Sequence, residues 1–87
     1  MNESRRSREL DLTVRAETPG LVWKILVTVG EEVAIGQDLV LLESMKMEIP
    51  VTAPVAGRIL MVHVLPDSPV SIGQSIVTVL STEENAP

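Results

Sequence analysis

An internal repeat constrains the fold of this chain more than any other feature of its sequence. Residues 14–43, shifted by 37 positions without a gap, lie over residues 51–80, and nine of these 30 positions are identical. The longest matching block places residues 33–37, VAIGQ, over residues 70–74, VSIGQ. A half of about 40 residues is too small to bury an apolar face alone. The sequence therefore predicts two copies of one unit that share a single core.

The residues of the repeat favour strands over helices. The chain has 13 Val and 6 Ile, and β-branched residues are enriched in strands. Residues 21–29 alternate in the manner of a strand and place Trp23 on its apolar face, as core or as a surface plug rather than a binding anchor. Further short strands are predicted at residues 38–43, 47–53, 58–64 and 75–80. The predicted fold is all-β: a flattened β-barrel or sandwich of two four-stranded antiparallel sheets with pseudo-twofold symmetry.

Two pairs of glycines occupy equivalent positions in the two copies, and one proline interrupts a strand pattern. Gly36 and Gly73 each precede a strand, where a tight turn requires a positive φ. Gly20 and Gly57 also precede strands, and we expect similar chain reversals there. Pro50 falls within a strand pattern and predicts an edge position or a bulge, because proline cannot donate to a ladder.

The ends of the chain differ from the repeat. Residues 1–9 are polar and charged and predict a flexible arm, and residues 82–87 predict a polar tail, which leaves residues 10–81 as the domain. No apolar run reaches the roughly 18 residues that a spanning helix needs. The first residues also lack the apolar segment of a secretory signal. We therefore expect a soluble cytoplasmic protein.

Composition excludes several classes of function. The net charge of −5 and the presence of one Trp with no Phe or Tyr disfavour nucleic-acid and anionic-membrane surfaces. The chain has no Cys and one His, so thiol nucleophiles, thiolate metal sites and His-rich metal clusters are excluded. His63 aligns with Leu26 in the repeat and is predicted to lie on the surface. The sequence thus offers no catalytic residues and no metal ligands.

The joint between the two copies is the candidate functional segment. It reads Glu-Ser-Met-Lys-Met-Glu over residues 43–48, and we expect a tight surface hairpin with Lys46 at its centre. Only Lys24 and Lys46 are lysines in the whole chain. An exposed amine at such a tip is available as a nucleophile when it is uncharged.

The segment ESMKMEIP at residues 43–50 resembles the biotin-attachment sequence of biotinyl domains, the carrier modules of biotin-dependent carboxylases. In that family the core is usually Ala-Met-Lys-Met, with the lysine at a β-hairpin tip. Pro-Gly before the first strand of the repeat, the run at 30–37 and the APVAG segment at 53–57 also resemble the family, so the likeness covers roughly residues 11–81. Ser44 stands where alanine is commoner, and we expect a small turn-forming residue to be tolerated.

The resemblance implies a function for the joint. A biotin protein ligase would attach covalent biotin, the implied cofactor, to Lys46 as an amide, with Met45 and Met47 as flanks that the ligase recognises. The biotin would carry a carboxyl group from a biotin carboxylase site to a carboxyltransferase site, most often for an acyl-CoA. The chain would be a carrier and not itself an enzyme. The equal spacing of the two copies leaves no room for the protruding loop of many biotinyl domains, which indicates the thumbless variety.

Other interpretations remain open at the level of sequence. The lipoyl domain shares the repeat fold, but its lysine typically follows Asp and precedes Ala, so the flanking methionines favour biotin. A stand-alone biotin or lipoyl attachment protein would have the same carrier fold as a carboxylase subunit. Met45 and Met47 could instead be packing residues. Glu43 and Glu48 fit either a docking role or ordinary solvated charges.

Overall fold

The computed structural model describes residues 8–83 and shows eight β-strands. In chain order they are β1 (Arg8–Arg15), β2 (Gly20–Ile25), β3 (Glu32–Val33), β4 (Asp38–Ser44), β5 (Met47–Thr52), β6 (Gly57–Val62), β7 (Pro69–Val70) and β8 (Ser75–Glu83). In this part of the chain, no helix has the length and apolarity needed to cross a membrane.

The strands form two four-stranded sheets, each with strands from both copies of the repeat. The terminal sheet has the order β1-β8-β6-β3, and the hairpin sheet has the order β5-β4-β2-β7. All neighbours are antiparallel. A shift of 37 residues converts β1–β4 into β5–β8 and one sheet order into the other. The two antiparallel sheets and their pseudo-twofold relation are confirmed, as a sandwich whose sheets do not close into a barrel.

The buried core side chains follow the same repeat as the strands. Its largest fully buried side chains form four pairs of equivalent positions: Val22 with Ile59, Leu39 with Ile76, Val40 with Val77, and Leu42 with Val79. Full burial of a side chain of this size stabilises the folded state by about 1.5–3 kcal/mol before the entropy cost is counted. Each copy supplies half of these side chains, so the core needs both.

Reciprocal hydrogen bonds join the two copies. The Gly36 N–H donates to the Ala53 carbonyl at 2.7 Å, and the Gly73 N–H donates to the Ala16 carbonyl at 2.8 Å. Each donor lies in one copy and its acceptor in the other. These bonds satisfy backbone groups that neither half could satisfy alone.

The repeated Ile-Gly-Gln triplet forms a tight turn in each copy. Gly36 has φ 84° and Gly73 has φ 86°, which confirms the positive values expected from the sequence. Beside each glycine, the Gln side-chain oxygen accepts a hydrogen bond from the backbone N–H three residues earlier, at 3.0 Å for Gln37 and 2.9 Å for Gln74. The glycine supplies the backbone conformation and the glutamine fastens the turn.

The other glycine pair serves a different purpose from the one that the sequence suggested. Neither Gly20 nor Gly57 has a positive φ. A Cβ on Gly20 would instead lie 2.6 Å from the Glu43 carbonyl oxygen, and a Cβ on Gly57 would collide with the Leu80 carbonyl. These glycines are needed because neighbouring backbone comes too close for a side chain, and not because the chain reverses there.

The alternation expected for residues 21–29 is wrong, because a β-bulge interrupts it. The register between β2 and β4 shifts between Val22 and Lys24, and β6 has the same shift at its equivalent position. The bulge changes which side chains face inward. Val22 and Val27 are buried, whereas Trp23 is 47% exposed with the Lys24 Nζ 5.8 Å from its ring centroid. Trp23 is therefore not a core residue.

The structure gives bounds for β1, β3 and β7, the three strands of the predicted sheets that the sequence did not delimit. β1 begins at Arg8 and β8 ends at Glu83, and these two residues are register partners. Residues 8–9 pair with residues 82–83 in the terminal sheet. The remainder of the predicted arm, residues 1–7, and of the tail, residues 84–87, lies outside the described residues.

We expect Gly36→Ala and Gly73→Ala each to lower the free energy of unfolding by about 1–2 kcal/mol, the cost of a left-handed conformation for an L-residue. A Cβ at either position would meet nothing within 4 Å, so the effect is conformational and should be similar in the two variants. Chemical denaturation measures it, and unfolding should stay a single transition because the core is shared. Ser71→Ala is the control, since Ala34 already occupies the equivalent position. A large loss in only one glycine variant would contradict the equivalence.

Candidate functional site

The joint between the two copies is a two-residue hairpin. β4 and β5 pair down to Ser44 opposite Met47, so Met45 and Lys46 alone form the connection. The surface hairpin with Lys46 at its tip, expected from the sequence, is present. Pro50 lies on β5, which is an edge strand as predicted.

Both residues of the connection have a left-handed backbone. Met45 has φ 53° and Lys46 has φ 65°, the combination that type I′ turns require and that Asn and Gly usually supply. Each costs about 1–2 kcal/mol in a residue with a Cβ. Nothing in a Met-Lys pair predicts a positive φ, so this strain is visible only in the structure. The β4–β5 ladder holds the turn in place.

The side chains at the tip are open to solvent. Met45 is 90% exposed, Met47 is 62% exposed, and Lys46 also belongs to the exposed class. Within residues 8–83, the Lys46 ammonium has no hydrogen-bond or ion-pair partner. Lys24, by contrast, lies over the Trp23 ring on β2. The amine of Lys46 is therefore the one that a large partner can approach from several directions.

The base of the hairpin is supported by close packing. Leu42 is fully buried and faces the partly buried Ile49 across the ladder. Gly20 lies against the end of β4, where a Cβ would meet the Glu43 carbonyl oxygen at 2.6 Å and the Ser44 Cβ at 3.5 Å. Sequence reasoning did not connect Gly20 with the site. Its absent side chain lets β2 approach the end of β4 and restrict movement of the hairpin.

Two carboxylates face each other just below the tip. Glu43 and Glu48 are direct register partners and both are exposed. Like charges in this position destabilise a sheet slightly. The sequence placed both residues beside Lys46, but only the ladder register shows that they face one another.

The remaining candidate, His63, belongs elsewhere. It is exposed on the connection between β6 and β7, and its Nε2 lies 2.7 Å from the Thr78 Oγ1, so its surface position is confirmed. In the described part of the chain, no three His, Asp or Glu side chains are grouped in a way that could hold a metal ion. The hairpin is the candidate site.

Comparison with known proteins identifies the family of the chain. Residues 12–79 match the family model described as "Biotin-requiring enzyme". The chain is 39% identical over 67 residues to the biotin carboxyl carrier protein of Streptococcus mutans, covering 77% of this chain and 52% of that protein. It is 44% identical over 66 residues to the biotinylated protein TB7.3 homolog of Mycobacterium leprae, covering 76% of this chain and 93% of that protein.

A solved structure has a similar fold. The fold is similar to part of a single-chain, multi-domain long-chain acyl-CoA carboxylase, with a TM-score of 0.74 and 29% identity over 86% of this chain and 7% of that one. The chain thus spans about half of the S. mutans relative and a small part of the carboxylase. Because the family model covers most of the sequence, the chain belongs to the biotin-requiring enzyme family, with covalently attached biotin as its cofactor.

Proposed function

We propose that Lys46 is the residue to which biotin is attached, through an amide at Nζ. The observation that carries this proposal is the two-residue tip, in which Lys46 is exposed and held in a left-handed conformation. A chain that needed only a stable turn would place Asn or Gly there. The left-handed strain is the cost of having a lysine, instead of Asn or Gly, at the point where the turn projects furthest.

The residues at the tip fit the attached group. Acylation of Nζ requires an amine that a ligase can enclose, and the exposed neighbours Met45 and Met47 leave room around it. Their unbranched apolar side chains suit contact with an enzyme pocket, which supports a role in recognition by a biotin protein ligase. Attachment removes the charge of Lys46 and leaves a long, flexible tether.

We further propose that the chain is a carboxyl carrier. Biotin supplies the ability to accept a carboxyl group at one active site and release it at another, here a biotin carboxylase site and a carboxyltransferase site. The chain supplies a rigid mount for the tether. The S. mutans relative supports the carrier role, and the acyl-CoA carboxylase neighbour supports an acyl-CoA as the acceptor. The match to the M. leprae relative covers 93% of that protein. This high coverage supports the alternative, a stand-alone attachment protein.

We expect Lys46→Arg to abolish biotinylation, because a guanidinium stays charged and does not act as an amine nucleophile. The exposed tip contributes nothing to the core, so the free energy of unfolding should change by less than about 0.5 kcal/mol. Co-expression with a biotin protein ligase, intact-mass analysis and peptide mapping measure the result. The matched control is Lys24→Arg, which should be fully biotinylated. Biotin found on the Lys46→Arg protein would move the site elsewhere.

A second expectation concerns the strain. Met45→Gly should raise the free energy of unfolding by up to about 1 kcal/mol, because glycine adopts a positive φ without the cost that Met45 bears. It should also slow biotinylation, since it removes one flank of the lysine. Denaturation curves and initial rates of biotin transfer test the two effects separately. A variant that is both more stable and an equally good substrate would show that Met45 has no part in recognition.

A third expectation concerns both flanks. Met45→Asp combined with Met47→Ala should lower the rate of biotin transfer without loss of stability, since both side chains are exposed. Met61→Ala is the control, because Met61 is a 53% exposed methionine on β6, away from the hairpin. Unchanged transfer to the double variant would identify the methionines as ordinary surface residues. Incubation with a lipoyl ligase then tests whether the new flanks admit lipoate.

A further inference from the structure

A groove with a volume of about 120 Å³ lies between the edge strands of the two sheets. One wall is the end of β1 and the residues after it, and the other is β5, with Leu42 among the lining residues. β1 and β5 are each an edge strand of their sheet, so the sandwich is open on this side. Val14 and Val51, which occupy equivalent positions in the two copies, both line the groove.

We propose that this groove is the resting site of the biotin ring system carried on Lys46. The inference rests on the proposed function, since it requires biotin at that residue. In the resting carrier the tether folds back along β5 and the ring lies in the groove. The ring leaves the groove when a partner enzyme offers a better site.

The groove is within reach of the tether. Ile49, which lines it, is three residues beyond Lys46, a distance of about 10 Å at about 3.3 Å per residue. The biotinyl-lysine side chain has about eleven bonds of about 1.5 Å between the Lys46 Cα and the ring, and it therefore spans more than that distance. The path is apolar, because Met47, Ile49 and Val51 alternate on one side of β5.

The size of the groove and the aliphatic side chains in its wall suit a small ring. Val14, Ile49 and Val51 are partly buried around the fully buried Leu42, so they present aliphatic surface to an occupant. A closed aliphatic cavity of about 150 Å³ holds one benzene ring. A groove of 120 Å³ that opens to solvent can therefore receive the sulfur-containing ring and leave the polar end of biotin outside.

The polar rim suits that exposed end. A ureido group has two N–H donors and one carbonyl acceptor, and Arg15 and Glu17 are both among the residues that line the groove. The Arg15 Nη1 already donates to the Gly73 carbonyl at 3.0 Å and to the Ser75 Oγ at 3.2 Å, which fixes the guanidinium in place. Its further N–H groups can donate to the ureido carbonyl, while Glu17 accepts from an N–H.

The β5 edge is a poor match for a strand from another protein. Pro50 lines the groove and has no N–H to donate, so an added strand could not form a continuous ladder there. A tethered ring needs no such ladder. It also has a high effective concentration, because its tether begins on the adjoining hairpin.

Amide NMR spectra of the fully biotinylated protein, compared with Lys46→Gln, test this proposal. Lys46→Gln removes the charge without adding biotin, so it accounts for the electrostatic change. We expect additional shifts at Val14, Arg15, Glu17 and Thr18, which lie on the opposite wall and far from Lys46 in sequence. Contacts between ring protons and the Ile49 methyl groups should appear as nuclear Overhauser effects. The turn at residues 34–37, none of which lines the groove, should not respond.

The outcomes separate this proposal from the proposed function. Complete biotinylation by mass, with spectra of β1 identical to those of Lys46→Gln, overturns the groove site and leaves the acceptor role intact. Absence of biotin at Lys46 overturns both. Shifts that grow with protein concentration overturn the intramolecular site and assign the groove to the biotin of a second copy.

Capture by streptavidin gives an independent measurement, because a ring in the groove is withheld from it. Streptavidin captures only the undocked ring, so loss of docking raises the capture rate twofold if the ring is docked half of the time in the parent protein. We therefore expect Glu17→Arg to raise the capture rate at least about twofold. Glu32→Arg makes the same charge change at an exposed position on β3, at the other edge of the terminal sheet, and it should leave the rate unaltered. Equal rates in the two variants and the parent protein would count against the groove.

Discussion

The exchange of strands between the two copies of the repeat is the constraint on which the rest of the structure depends. β3 pairs with β6 in the terminal sheet, and β7 pairs with β2 in the hairpin sheet. The turn at Gly36 is bonded to Ala53 and the turn at Gly73 to Ala16. A small chain gains cooperativity from this arrangement, because damage to either copy removes partners from the other. The core side chains follow the same rule, since every large buried residue has an equivalent in the other copy.

The candidate site lies where this symmetry is broken. Addition of 37 to Ser44 gives Ser81, yet β4 ends at Ser44 whereas β8 continues to Glu83. At the equivalent place the terminal sheet pairs Arg8 with Glu83, and the hairpin sheet closes through two residues. The same architecture thus has the outer ends of β1 and β8 at one place and a tight hairpin at the other. Only the hairpin presents a strained, exposed lysine, so the repeat supplies a scaffold that the joint turns into a site.

Sequence predicted the parts of this structure that depend on periodicity and on special residues. The repeat predicted two equivalent sheets, Gly36 and Gly73 predicted left-handed turns, and the joint predicted the hairpin. It could not predict the bulge that exposes Trp23, because an inserted residue changes the facing of side chains without changing their order. It also could not distinguish a glycine needed for a turn from Gly20, whose need arises from backbone that is distant in sequence. The facing of Glu43 and Glu48 likewise depends on a register that composition does not encode.

The strained backbone at the tip complements the flexibility of the proposed biotinyl tether. A long side chain supplies reach, but reach alone leaves the direction of the tether undefined and increases the entropy lost on docking. A two-residue turn held by the β4–β5 ladder fixes the origin and initial direction of the Lys46 side chain. Its cost of about 1–2 kcal/mol per left-handed residue is small beside the burial of the eight large core side chains. The interlocked sandwich can therefore support a locally unfavourable turn, and in the proposed carrier this turn would give a mobile tether a fixed base.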